Sequence, residues 1–105
     1  EEKEKYIYAH LSDCLQVIPY MACVDEFQQR VYEERLTDAE ARYALWHELE
    51  QKYLPWRSYG GHAFLEKGGF WMQKQHIFMY PFYYIDYALA QMGAFEYLIR
   101  MEENR

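Results

Sequence analysis

Between Gln75 and Gln91 the chain places His76, Tyr80, Tyr83, Tyr84, Asp86 and Tyr87 in quick succession. On a 3.6-residue period Tyr80, Tyr84 and Tyr87, spaced i, i+4, i+7, share one face, with Tyr83 beside them and His76 one turn before Tyr80. A row of phenols has two readings. It is core, its rings filling space and its hydroxyls paired at the rim, or it is a set of neutral hydrogen-bond donors facing a place where negative charge develops. Tyrosine suits the second task because its ordinary pKa of about 10 keeps the proton on at neutral pH. Spacing alone leaves both open.

The element that must position these groups is the last helix, expected from about Pro81 to Arg100. Proline disfavours the helical conformation at the residue before it and fits a helix's first turn, so His76 is placed on an irregular lead-in. This helix is apolar nearly all round, with Asp86, Gln91 and Glu96 as its polar positions before Arg100; such a helix calls for cover on every side. A buried Asp86 would need a partner, and fixing a tyrosine or a nearby amide is its expected task.

Upstream, Tyr6, Ile7, Leu11, Cys14, Leu15 and Ile18 show helical spacing, interrupted by Pro19. Either one helix ends there and another begins, or one long helix passes through the proline. The pattern resumes through Met21, Val24, Phe27, Val31 and Tyr32 and leaves at Glu33 to Leu36. Thr37-Asp38-Ala39-Glu40 reads as a capping box with Thr37 as the cap. The helix that follows turns Leu45, Trp46, Leu49 and Tyr53 inward and stops at Pro55. Leu54 to Lys67 is expected to be an ordered loop, since a solvated linker would not hold so many aromatics, and Gly68-Gly69 marks a turn before Phe70-Trp71-Met72. The expected fold is all-α: three to five helices with one ordered aromatic and glycine-containing loop, in a single helical unit spanning 1–105.

Composition narrows the function. Twelve tyrosines and three tryptophans in 105 residues exceed what so small a surface-rich chain can bury, which points to a part of something larger or to one side of an interface. A net charge of -6 with no Lys/Arg cluster argues against a nucleic-acid partner. No apolar run approaches the roughly 18 to 20 residues that span a bilayer, and the charged start Glu1-Glu2-Lys3-Glu4-Lys5 is no secretory signal. Cys14 and Cys23 fit neither a metal knuckle nor a redox pair, so reduced thiols in a cytoplasmic protein are expected. The absence of an initiator methionine is consistent with a longer chain.

Other chemistry is hard to assemble. His47-Glu48-Leu49-Glu50-Gln51 starts like the zinc-peptidase motif His-Glu-x-x-His but has Gln51 where the second histidine belongs. His10 and His62 stand apart from other ligands. Ser12, Ser58 and Thr37 lack a Gly-x-Ser-x-Gly elbow, and neither Gly-Gly pair has the lysine of a phosphate loop. Asp25-Glu26 and Glu33-Glu34 read as solvated faces.

His76-Ile77-Phe78 followed by Pro81-Phe82-Tyr83-Tyr84-Ile85-Asp86-Tyr87-Ala88-Leu89-Ala90-Gln91 resembles the C-terminal catalytic segment of oligoendopeptidase F, in the thimet-oligopeptidase-like family of zinc metallopeptidases. Tyr6-Ile7-Tyr8-Ala9-His10, Ile18-Pro19-Tyr20, Val24-Asp25-Glu26-Phe27-Gln28, Tyr53-Leu54-Pro55-Trp56 and Gly68-Gly69-Phe70-Trp71 resemble the same family in the same order, so the likeness covers nearly the whole chain.

The resemblance implies a mostly helical catalytic domain whose zinc is held by His-Glu-x-x-His and a later glutamate, neither of them present here and both expected upstream of Glu1. It implies that His76, Tyr84 and Tyr87 are the catalytic groups of a wall that binds substrate and stabilises the tetrahedral intermediate. Tyr80 and Tyr83 are implied substrate contacts, Tyr83 pointing about 100 degrees away from the others. The implied partners are a short peptide substrate and the remainder of the catalytic domain; alone, the chain is expected to bind no zinc and cleave no peptide. A different class also fits: a non-catalytic helical module derived from the peptidase fold that binds a peptide or protein on its aromatic surface. Self-association hiding the last helix is a third reading.

Overall fold

The computed structural model describes residues 1–105 and contains five α-helices, one 3-10 turn and no strand. The first helix, α1 (Glu2–Glu33), runs through Pro19 without a break, which decides for one long helix. Proline has no N–H, so the carbonyl four residues earlier loses its helical donor. That carbonyl belongs to Leu15, on the exposed side of α1, where water reaches it.

Arg35, at a φ of 53°, reverses the chain into α2 (Ala39–Tyr53), and the Arg42 side chain ties the reversal by donating to the Leu36 carbonyl at 2.7 Å. The cap is Asp38, not Thr37: the Asp38 carboxylate accepts from the Ala41 amide at 2.9 Å. Either residue could fill the position, and the carboxylate, stronger both as acceptor and against the helix dipole, takes it. Glu40 is therefore free to meet Lys67 at 3.3 Å.

The core lies between the second half of α1 and α2. Cys23, Val24 and Phe27 meet Leu45, Trp46 and Leu49, all nearly or wholly removed from solvent. Phe27 has the Trp46 ring edge-on at 5.2 Å and the Trp71 ring at the same distance. Burial pushes the Cys23 thiol up to about 12.

Beyond α2 the expected loop is ordered, by a device that its composition does not reveal. Glu50 is buried on α2 and accepts the Tyr59 hydroxyl, with the Arg57 guanidinium 3.5 Å away. Arg57 in turn lies over the rings of Phe70, at 4.8 Å, and Tyr20, at 5.2 Å. The Tyr59 phenol is raised well above its ordinary range, first by burial and then by its bond to the Glu50 carboxylate. A one-turn helix, α3 (Ala63–Glu66), occupies the end of the loop. Gly68, at φ 104°, passes so close to α2 that an added Cβ would lie 2.0 Å from the Tyr43 carbonyl oxygen. The 3-10 turn Gly69–Gln73 then delivers Trp71 to the core.

The last part differs from expectation in two ways. His76 sits in a short helix, α4 (Gln75–Met79), and the final helix, α5 (Ile85–Glu103), begins four residues after Pro81. Pro81 forces Tyr80 out of the helical region, to φ -137° and ψ 65°, which ends α4 and leaves 80–84 as a turn. Asp86 is exposed and has no side-chain partner; it falls in the first turn of α5, where its charge suits the helix dipole.

α5 packs against α1, the start of one helix beside the end of the other, as shown by a groove shared by Tyr6, His10 and Cys14 with Gln91, Phe95 and Leu98. This two-helix arm carries the molecule to 54 × 30 × 21 Å and a radius of gyration of 16.5 Å; a compact domain of this length would have about 13 Å. Of the expected all-round burial of α5, only Ala88 is achieved, while Leu89, Met92, Tyr97, Ile99 and Met101 remain exposed. No helix is long and apolar enough to cross a membrane.

Candidate functional site

The turn at 80–84 folds α5 back over α4 and brings His76 against the tyrosines that follow it. His76 Nε2 lies 3.3 Å from the Tyr87 hydroxyl oxygen. With the ring proton on Nε2 the imidazole donates to the phenol oxygen; with it on Nδ1 the phenol donates to Nε2. The Tyr84 ring centre is 5.0 Å from that of His76 and 5.4 Å from that of Tyr87, so the three rings form one cluster. Tyr84 is buried and Tyr87 is 41% exposed, the difference between a wall of the cluster and a group that can reach a ligand.

Tyr83 and Tyr80 occupy the rim. Tyr83 stands edge-on to Tyr87 at 5.6 Å, and the Tyr80 ring is 6.4 Å from His76; both are more than half exposed. The single helical face expected for Tyr80, Tyr84 and Tyr87 does not exist, because Tyr80 is outside α5. The groups meet nonetheless, through the fold-back.

Beneath the cluster runs an open groove of about 510 Å³, lined by Met21 from α1, Lys74, His76, Tyr84 and Tyr87, and Ala90, Gln91 and Ala94 from α5. Lys74 supplies its one cation, 5.0 Å from the Tyr84 ring centre and 5.3 Å from that of Tyr20. Tyr20 supports Tyr84 from below at 6.0 Å, edge to face, and its hydroxyl accepts from Gln73 Nε2 at 3.0 Å. Burial drives the Tyr20 phenol far above its ordinary range, so this supporting ring is neutral at any physiological pH.

The turn itself is held from a distance. Phe82 has a φ of 64°, a left-handed conformation that costs a side-chain-bearing residue about 1 kcal/mol or more. Its amide donates to Oε1 of the buried Gln28 at 3.0 Å.

No three His, Cys, Asp or Glu side chains gather anywhere as a metal site. His47 and Glu48 lie on the exposed side of α2, and Glu48 is engaged by Arg30 at 2.7 Å. His10 stacks on Tyr6 at the surface and His62 is exposed at the start of α3.

An X-ray structure of an oligoendopeptidase F superposes on this chain with a TM-score of 0.91 and 49% sequence identity, over 97% of the chain. In sequence and in fold the chain is oligoendopeptidase F-like. A structure of PZ peptidase A with an inhibitor superposes as well, at a TM-score of 0.91 and 48% identity over 96% of the chain. The oligoendopeptidase F-like chain spans 18% of the length of each of these two proteins. Neither a protein-family model nor a curated sequence matches it.

Reading the oligoendopeptidase F-like sequence by motif picked out His76 and the four tyrosines but missed Lys74, Tyr20 and Gln28. Lys74 is an isolated basic residue, and no periodicity marks it. Tyr20 and Gln28 lie far upstream on α1, and only packing brings them to the site.

Proposed function

We propose that the complete protein to which this chain belongs is an oligoendopeptidase F-like metallopeptidase that hydrolyses short peptides, and that this chain supplies the wall of its cleft. The observation that carries this reading is the approach of His76 Nε2 to the Tyr87 hydroxyl at 3.3 Å beside an open groove. The likeness to two peptidases over nearly all of the chain supports the reaction class.

Peptide hydrolysis passes through a tetrahedral intermediate whose oxygen carries negative charge. Tyr87 is the exposed phenol of the cluster, and its O–H is the group placed to donate to that oxygen. His76, protonated on Nε2, donates to the Tyr87 oxygen and leaves the phenol proton free for the substrate. Tyr84 packs against both the imidazole and Tyr87, with ring centres 5.0 and 5.4 Å away, and completes the wall. Tyr80 and Tyr83, at the rim, contact the peptide on either side of the reacting bond. The residues of this chain do not fit a zinc site, so the metal expected of this peptidase class would be held by residues outside it, with the exposed faces of α1 and α5 covered by the rest of the catalytic domain. Alone, the chain would be inactive.

In the complete protein, Tyr87→Phe should lower kcat by about 100-fold, the typical cost of losing one oxyanion donor, with little change in KM. An unchanged kcat would return Tyr87 to a packing role. That outcome would favour the second reading, a non-catalytic helical module that binds peptide or protein in the same groove; the bare apolar faces of α5 are what speak for it.

A further inference from the structure

Gln28 is a polar residue in an apolar place. It is 1% exposed on α1, in a face formed by Val24 and Phe27, and burying an amide side chain there is favourable only if its hydrogen bonds are made. Its Nε2 donates to the Val24 carbonyl at 3.4 Å and its Oε1 accepts from the Phe82 amide at 3.0 Å.

Phe82 needs that bond for two reasons. Within the turn, the Tyr83 amide donates to the Tyr80 carbonyl at 3.2 Å and the Asp86 amide to the Tyr83 carbonyl at 3.0 Å, while the Phe82 amide has no backbone acceptor. Its left-handed φ of 64° is also one that a phenylalanine leaves readily, since the Cβ opposes it. Were Phe82 to relax to negative φ, the chain beyond it would set off in another direction. Tyr83, Tyr84 and the first turn of α5 would then move away from α4 and from His76.

We infer that Gln28 is a positioning residue for the His76–Tyr84–Tyr87 cluster: through one hydrogen bond across the molecule it holds Phe82 left-handed and so sets the distance between the imidazole and the two phenols. The inference rests on the proposed role of the cluster for its catalytic consequence, but the latch itself can be read without activity.

The test uses the full-length protein and Gln28→Met, which removes the acceptor at nearly constant volume. Hydrogen exchange in the peptide carrying Phe82 should quicken by about tenfold or more while the Trp46 and Leu49 amides of the core stay protected. The kcat should fall by about tenfold to 100-fold with a smaller change in KM, the mark of lost alignment. Phe82→Gly added to Gln28→Met should recover part of that loss, because glycine reaches a φ near +64° at no steric cost. Loss of packing alone would not be rescued at position 82. Where Gln28→Met does not fold, Gln28→Asn, which draws the carbonyl back by one methylene, carries the same expectations. Unchanged exchange at Phe82 would overturn the inference, as would a wild-type kcat with the Phe82 amide released in a protein whose Tyr87→Phe variant is impaired. If Tyr87→Phe proves silent while Gln28→Met frees the Phe82 amide, the latch stands and the catalytic reading falls.

Discussion

The ammonium of Lys74 sits 5.0 Å from the centre of the Tyr84 ring, has no carboxylate partner, and lines the groove beside His76. A cation over a ring face gains about 0.5–1 kcal/mol at such a partly open place, enough to hold the side chain over the groove and too little to neutralise it. Within this chain the charge is unpaired, and on the proposed peptidase reading it is open to a peptide carboxylate. Lys74→Met is expected to raise KM for peptides ending in a free carboxylate by about tenfold, the worth of one charge-assisted hydrogen bond, and to leave KM for the amidated peptides unchanged. Steady-state kinetics with the matched pair of peptides checks this.

Gly68 gives a prediction about stability that is independent of the site. At φ 104° and with an added Cβ 2.0 Å from the Tyr43 carbonyl oxygen, it combines left-handed backbone with contact against a helix backbone that cannot give way. Gly68→Ala is expected to destabilise by about 2 kcal/mol or more, seen as a lower Tm or denaturation midpoint. Gly60→Ala, where nothing lies within 4 Å, meets only the conformational part of that cost and should be milder.

Glu26 sets a pH dependence. Its hydrogen bonds to Lys52, at 2.7 Å, and to the Tyr53 hydroxyl hold its carboxyl below the usual carboxylate range. A depressed pKa contributes stability that is fully present above the unfolded value, about 4.3, and is lost as pH falls through the lower folded value. Lys52 and Tyr53 are raised by the same bonds, so their contributions are lost only on the alkaline side. Glu26→Gln should therefore flatten the fall in Tm below about pH 4.3. A Tm profile that keeps its acid limb in this variant would assign the limb to other carboxyls.

Much of this molecule could be read from local pattern. The α1–α2 core follows from Val24, Phe27, Leu45, Trp46 and Leu49 at helical spacing, and the stop at Pro55 from the geometry of proline. The parts that could not be read depend on contacts between distant residues or on a contest between neighbours. Asp38 and Thr37 compete for one cap, and spacing does not decide between them. Pro81 precedes the helix whose first turn its sequence suits, because the left-handed Phe82 that keeps the turn open is stabilised by Gln28, 54 residues away. No local pattern marks Glu50 as buried, and only Tyr59 and Arg57, brought to it by the loop, explain its burial. Even the tyrosine face illustrates this: its residues meet His76 by a fold-back rather than by sharing a helix.

On the proposed reading His76 and Tyr87 act as one unit on the substrate, and a double-mutant cycle over the pair reads that coupling. kcat and KM would be measured for the complete protein, for His76→Gln, for Tyr87→Phe and for both changes together, with circular dichroism to confirm folding. If the imidazole works through the phenol, each single change lowers kcat by about 100-fold and the double change costs little more than either one alone. Fully multiplicative losses, or a kcat unmoved by Tyr87→Phe, would contradict the account.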